Sequence, residues 1–302
     1  RSAGQTEGAP RGKEGSVMKR KGGATSGLRS LPMGTRIVTL ICCALALMIA
    51  LVPLIWLLIS SFKEDPLAQP GFQLPRALYF GGYLSTFRDL HVLRFFGNSM
   101  LISIVSVAVS VLMISMSAYV VARIPFRGKG VVRLLLSTTL FIPATALTYP
   151  VYDLINRLGL YNTRSGLILV YACSGIAVSF FVIQNYYAAV PVEIEDAARI
   201  DGCGYVRTWR SIVFPIARPG ILTAAVLAFL SNWNEYYWAS LLLIDRRKMT
   251  VPGLLSTFTT SFRTNYNGLF SAMVVIILPP ILLYVILHKF FIEALSGGAV
   301  KG

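Results

Sequence analysis

Six stretches of 19 to 25 residues, near 37–61, 98–122, 134–152, 166–190, 220–244 and 269–288, are almost without charge and are separated by polar, mostly basic segments. As a helix rising 1.5 Å per residue, each reaches across a hydrocarbon core of about 30 Å. The pattern predicts an all-α integral membrane protein with six transmembrane helices. Glu235 is the one acidic side chain well inside these stretches, and no Lys or Arg accompanies it. Pro53, Pro143, Pro150, Pro279 and Pro280 fall within them. Such prolines would break a soluble helix but are tolerated where neighbouring membrane helices support the backbone, so each stretch is read as one helix.

Composition agrees. Of 302 residues, 55% are hydrophobic and only 14% charged, against about a quarter charged in ordinary soluble domains. A net charge of +15 would suggest nucleic acid in a soluble chain, but here it fits basic loops on one membrane side. The loops that share a side with the two ends hold 18 of the 28 Lys and Arg; the alternate loops hold 10. The positive-inside rule then predicts that both termini and the 191–219 segment are cytoplasmic. Residues 1–31, rich in Gly, Ser, Lys and Arg, cannot bury enough apolar surface to fold. They are read as a disordered basic N-terminal extension, with Met18 as a candidate start, ahead of a six-helix domain at 32–302. The first stretch is too long for a signal-peptide core and lacks a small-residue cleavage site, so it is read as a retained span.

Candidate chemistry is sparse. Cys42, Cys43, Cys173 and Cys203 lack paired spacing or nearby His, which predicts neither a metal site nor a disulfide framework. Gly128-Lys129-Gly130 is not a phosphate loop, and no G-x-x-x-x-G-K-[ST] run occurs; the chain is not expected to hydrolyse ATP or act as an enzyme. In the second stretch Ser99, Ser103, Ser106, Ser110 and Ser117 fall within about 40° of one direction at 100° per residue, with Ser115 opposite. This stripe is either a close-packed helix seam or a hydrophilic wall. Glu235 is costly in a membrane. With Ser231, Asn234 and Trp238 it forms either a small, polar face of a substrate pathway, offering a sugar hydrogen-bonding groups and an aromatic ring, or a buried bond to a neighbouring helix. The long 245–268 connector suits an outer docking loop. Its Arg246, Arg247 and Lys248 either attract an anionic substrate or serve as helix-end charge.

The segment PVEIEDAARIDGCGYVRTWRSIVFP, 191–215, is the most informative. Pro191, the acidic Glu193, Glu195 and Asp196, and a Gly202 cap predict a short surface helix of roughly 16 Å. Ile194, Ala197 and Ala198 are placed on one face, where small side chains let a partner approach. A second amphipathic run, Tyr205 to Phe214, is expected to end at Pro215. Two short helices under a membrane bundle have the form of a docking handle.

Asp196-Ala197-Ala198, then Gly202, then Ile212-Val213-Phe214-Pro215 resembles the cytoplasmic signature of ABC importer permeases, with Asp for the usual Glu and Phe for the usual Leu. Asn98-Ser99, Ala118-Tyr119, Ala122-Arg123, Phe126-Arg127-Gly128, Trp233-Asn234-Glu235 and the ending from Gly297 to Gly302 are similar to the carbohydrate-uptake branch, specifically the second permease of maltose-type systems. The resemblance covers about residues 37–302. It implies a type I ABC importer permease fold with a cytoplasmic coupling helix in a prokaryotic plasma membrane. It also implies a homologous second permease, two copies of an ABC ATPase that bind ATP and Mg, and an extracytoplasmic sugar-binding protein. This chain itself would hold no cofactor and no nucleic acid. Glu195, Asp196, Ala197, Ala198, Asp201, Gly202, Ile212 and Pro215 would couple to the ATPase, Glu195 standing in for the shortened Asp196 toward a partner's arginine. The cargo implied is a sugar or oligosaccharide. A glycerol phosphate or other polyol is the alternative within the class, and an ion-coupled secondary transporter working through Glu235 is the rival outside it.

Overall fold

The computed structural model describes residues 32–88, 91–255, 258 and 265–299, with side chains of the last stretch described as far as 286. The basic extension, Met18 and the Val300-Lys301-Gly302 ending lie outside the described residues. All regular elements among the described residues are helical. The chain divides into two compact units, residues 1–55 and 56–302. Most of helix α1 (Met33–Ser61) belongs to the first and runs through Pro53 unbroken. With no charge from Ile37 to Ser61 it is apolar on every side, as suits a helix among lipid or other apolar helices.

In the second unit follow α2 (Gly81–Arg88), α3 (Val92–Arg123), α4 (Lys129–Thr138), α5 (Thr148–Arg157), α6 (Arg164–Cys173) and α7 (Ile176–Ala189). They are succeeded by α8 (Val192–Ile200), α9 (Tyr205–Ile216), α10 (Arg218–Asn234), α11 (Tyr237–Leu242), α12 (Val251–Leu255) and α13 (Tyr266–Ala299). Helix α3 is the axis of this unit, packed against α6, α7, α10 and α12. Near its start Val92 and Phe95 join Trp233, Val251, Leu254 and Ala272. Ile102 meets Ile155, Leu167, Tyr171 and Trp238. Toward its end Ile114, Ala118 and Tyr119 pack with Phe180, Tyr187, Trp209 and Val213. Gly220 brings α10 close to α7, since a Cβ there would lie 2.2 Å from the Tyr186 ring.

Among the described residues three helices, α1, α3 and the part of α13 up to Ile286, are long and apolar enough to cross a membrane. Two bent pairs reach that length only together, α6 with α7 at 51° and α9 with α10 at 79°. Six unbroken helices were expected, and three of the expected spans are interrupted. The stretch 134–152 is not one helix. Its first part, α4, tapers after Ser137-Thr138-Thr139, where Thr138 and Thr139 turn their hydroxyls onto the carbonyls of Leu135 and Leu136 at 2.7 Å, a side-chain competition that ends helices. Pro143 then keeps Ile142 out of helical geometry, while Pro150 sits in the first turn of α5, where its missing N–H costs nothing. The stretch 166–190 breaks at Ser174-Gly175, Gly175 taking φ +66°, and 220–244 breaks after Asn234.

The serine stripe also differs from expectation. Ser99, Ser103, Ser106 and Ser110 are buried as a packed seam, but Ser115 is buried too and Ser117 is exposed. In its second half α3 is enclosed by α7 and by Trp209 and Val213 of α9, so the covered arc widens beyond the stripe that a single neighbour would define.

Candidate functional site

Helix α8 is short, and most of it faces outward. Glu193 and Glu195 lie in its first turn, complementing the positive helix end. Its end is closed as predicted by Gly202, at φ +80°. Cys203 N–H donates to the Ala198 carbonyl at 2.9 Å and Gly202 N–H to that of Arg199 at 3.0 Å, the paired bonds of a Schellman ending. Asp196, Ala197, Asp201 and Gly202 are exposed, Ile200 is 87% exposed, and Asp196 pairs with Arg199 at 3.2 Å. The expected shared face of Ile194, Ala197 and Ala198 splits: Ala198 is buried against the unit, while Ile194 and Ala197 face out.

Glu195 overturns its expected orientation. Its side chain is 2% exposed and its Oε1 lies 2.7 Å from Nε of Arg123. Tyr119 donates its hydroxyl to Oε2 at 3.1 Å, and the Arg123 guanidinium also donates to the Val190 carbonyl. Glu195 therefore cannot stand in for Asp196 toward a partner, because its charge is spent inside the chain. Tyr119 and Arg123, four residues apart, share one face of the last turn of α3. That spacing was readable; which acidic residue of α8 turned toward it was not. Beside this cluster Trp209 Nε1 donates to the Tyr187 hydroxyl at 3.1 Å, and Ser115 shares a hydrogen bond with the same hydroxyl.

The run after α8 does not stop at Pro215. Trp209–Val213 widens into a π turn, with Phe214 N–H donating to the Trp209 carbonyl, and helix continues to Ile216. Pro215 lacks an N–H and its ring crowds the carbonyl four residues back; the wide turn relieves both. Ile212 is half-buried and Pro215 exposed.

At the opposite end of α3, Asn98 Nδ2 donates to the carbonyls of Arg247 and Met249 at 3.0 and 2.9 Å. Ser99 Oγ accepts from Val251 N–H at 2.8 Å. The expected outer loop is thus partly internal, and Val251 to Leu254 are buried. Arg247 is hydrogen-bonded to Asp245 and holds that carboxyl below the usual carboxylate range. Lys248 donates to the Asn162 carbonyl at 2.7 Å. These two cations serve the corner they sit in, Arg247 from an exposed position; Arg246 is exposed as well. Residues 256–257 and 259–264 of the loop lie outside the described residues.

Glu235 does not continue α10. It lies in extended backbone at the break, so the helical wheel that grouped it with Ser231 and Trp238 fails. Its carboxylate accepts from the N–H groups of Trp238 and Ala239 at 2.9 and 3.1 Å, starting α11, and from the Tyr171 hydroxyl at 2.8 Å. This is the bond to a neighbouring helix that the sequence allowed. Asn234 and Tyr236, on either side of the break, line a cavity of about 330 Å³ with Pro252, Leu255 and Ile276. Ser231 is exposed and Trp238 is buried in the core beside Ile102. Among the described residues no group of three or more His, Cys, Asp or Glu could hold a metal.

Comparison with known proteins gives one answer. The family described as "Binding-protein-dependent transport system inner membrane component" matches residues 110–297. The arabinooligosaccharides transport system permease protein AraQ of Halalkalibacterium halodurans is 34% identical over 84% of this chain and 92% of its own length. The trehalose transport system permease protein SugB of Mycobacterium tuberculosis is 30% identical, over 84% and 93%. Among solved structures, a chain of a bacterial ABC transporter that imports the acidic polysaccharide alginate superimposes with a TM-score of 0.76 at 24% identity, covering 86% of this chain and 99% of that one.

Proposed function

The chain belongs to the family of binding-protein-dependent transport system inner membrane components, and from that premise we propose that it forms part of the membrane pathway for an imported oligosaccharide. It is a multi-pass, non-enzymatic permease subunit of an ABC importer, a class that works with an ATPase and a binding protein. The ion-coupled rival loses its ground, since family membership assigns the chain to the ATP-driven class. The carbohydrate cargo is supported by the relatives, whose own substrates are arabinooligosaccharides and trehalose.

The finer arrangement is this. A homologous second permease completes the pathway, two ATPase copies bind ATP and Mg, and both termini and α8 lie in the cytoplasm, the side favoured by 18 of 28 basic residues. The observation that carries the coupling role is a nine-residue helix with seven residues outside the core and a tightly closed end. Asp196, Ala197, Asp201 and Gly202 meet the ATPase; Ile212 and Pro215 shape the turn that supports it. The break at Glu235 exposes Asn234 and Tyr236 to the pathway cavity, because irregular backbone at membrane depth is tolerated where it lines such a space.

Purification of the tagged chain from its native membranes in mild detergent tests this. Stoichiometric recovery of a P-loop ATPase and a second multi-span permease is expected, and a captured binding protein then yields the sugar. Repeated recovery of the chain alone overturns the proposal.

A further inference from the structure

Of the nine residues of α8, only Glu195 and Ala198 are buried. Apart from the chain at its two ends and the Arg199 guanidinium, 5.4 Å from the centre of the Tyr205 ring, this helix is fixed to the unit through one buried charged side chain and one buried methyl group. We propose that Arg123 and Glu195 are positioning residues that clasp α8 to the last turn of α3, so that a displacement of α8 moves α3 as one body. The inference rests on the reading of α8 as the ATPase contact and adds the joint through which force leaves it.

The geometry of the joint is restrictive. The planar guanidinium of Arg123 meets Glu195 Oε1 at 2.7 Å and also takes the carbonyl of Val190, just before α8. It thereby grips both the chain entering the helix and a side chain one turn inside it. Tyr119 donates to the other carboxylate oxygen at 3.1 Å, so the carboxylate meets a cation at one oxygen and accepts a hydrogen bond at the other. The side chains are 11% and 2% exposed, and opening such a pair leaves an uncompensated buried charge, a strongly unfavourable state. The exposed Asp196–Arg199 pair offers no comparable resistance. The Ala198 methyl fills space but cannot resist sliding. Because Ser99 and Asn98 hold the backbone of 247–251, roughly 36 Å along α3 from Arg123 at 1.5 Å per residue, motion entering at the clasp reaches the far end of the unit.

The test uses the purified complex with its own ATPase, with Cys42, Cys43, Cys173 and Cys203 replaced by alanine. Spin labels are placed at Val192→Cys and Leu101→Cys, exposed positions on α8 and α3, and the distance is measured without nucleotide and with ATP plus vanadate. The native pair is expected to keep one distance in both states. Arg123→Gln and Glu195→Gln are each expected to make it change with nucleotide by more than about 2 Å, the scale of helix shifts in switching proteins. Arg123→Lys, which keeps the charge but not the planar fork, is expected to give a change between those of the native chain and Arg123→Gln. Tyr119→Phe removes one hydroxyl and no charge, and broadens the distribution. A native distance that itself shifts with nucleotide overturns the clasp, as do Gln variants that behave like the native chain. A complex that contains no ATPase overturns the underlying reading together with it.

Discussion

Replacement of Gly202 isolates a backbone effect from a steric one. The residue sits at φ +80°, and a Cβ built there meets nothing within 4 Å. Any loss therefore comes from forcing an L-residue into left-handed geometry, roughly 1–2 kcal/mol. The chain can escape by opening the two bonds that close α8, from Cys203 to Ala198 and from Gly202 to Arg199. A cost of that size shifts the closed-to-frayed ratio by about 5–30-fold. Asn visits the left-handed region more easily than Ala, and β-branched Val least easily. Retention of the ATPase by the tagged chain, normalised to the amount in the membrane, is expected to fall in the order Gly, Asn, Ala, Val, with membrane levels near native throughout. A size argument predicts a different order, with Ala ahead of Asn. Observation of that order, or native retention by Gly202→Val, would refute the reasoning.

Two other sites give sharp expectations. Glu235→Ala removes the acceptor for two N–H groups and the Tyr171 hydroxyl, bonds to a charged group of about 1.5–3 kcal/mol each. It should lower the thermal unfolding temperature well beyond Tyr171→Phe, and the double variant should fall short of the sum because the two share one bond. Asn98→Ala frees the carbonyls of Arg247 and Met249; faster tryptic cleavage within Arg246-Arg247-Lys248, without loss of membrane insertion, is the expected result, and an unchanged cleavage rate would count against the loop being held from α3.

The all-helical membrane class was legible because lipid demands long uncharged stretches, and such stretches survive as simple runs along the chain. The acidic-Ala-Ala and Gly202 spacing was legible because helix ends have local chemistry: Gly202 takes the left-handed backbone that its position foretold. Where expectations failed, the competing influence was also local but graded. Pro143 could have been a tolerated kink or a stop, and the three hydroxyl residues before it tipped the balance toward a stop. Glu235 likewise gave no sign that it would begin a new helix rather than ride on the old one.

Sequence alone thus determined which segments are apolar, where the short surface helix begins and ends, and the family signature it bears. Tertiary structure alone decided which of Glu193, Glu195 and Asp196 turns inward, that Arg123 and Tyr119 meet it, and that Asn98 and Ser99 grip a loop some 150 positions later in the chain. The division has a physical reason. Hydropathy and capping depend on neighbours within a turn or two, whereas the partner of a buried charge is fixed by how helices distant in sequence pack, and that packing leaves no periodic trace in any one of them.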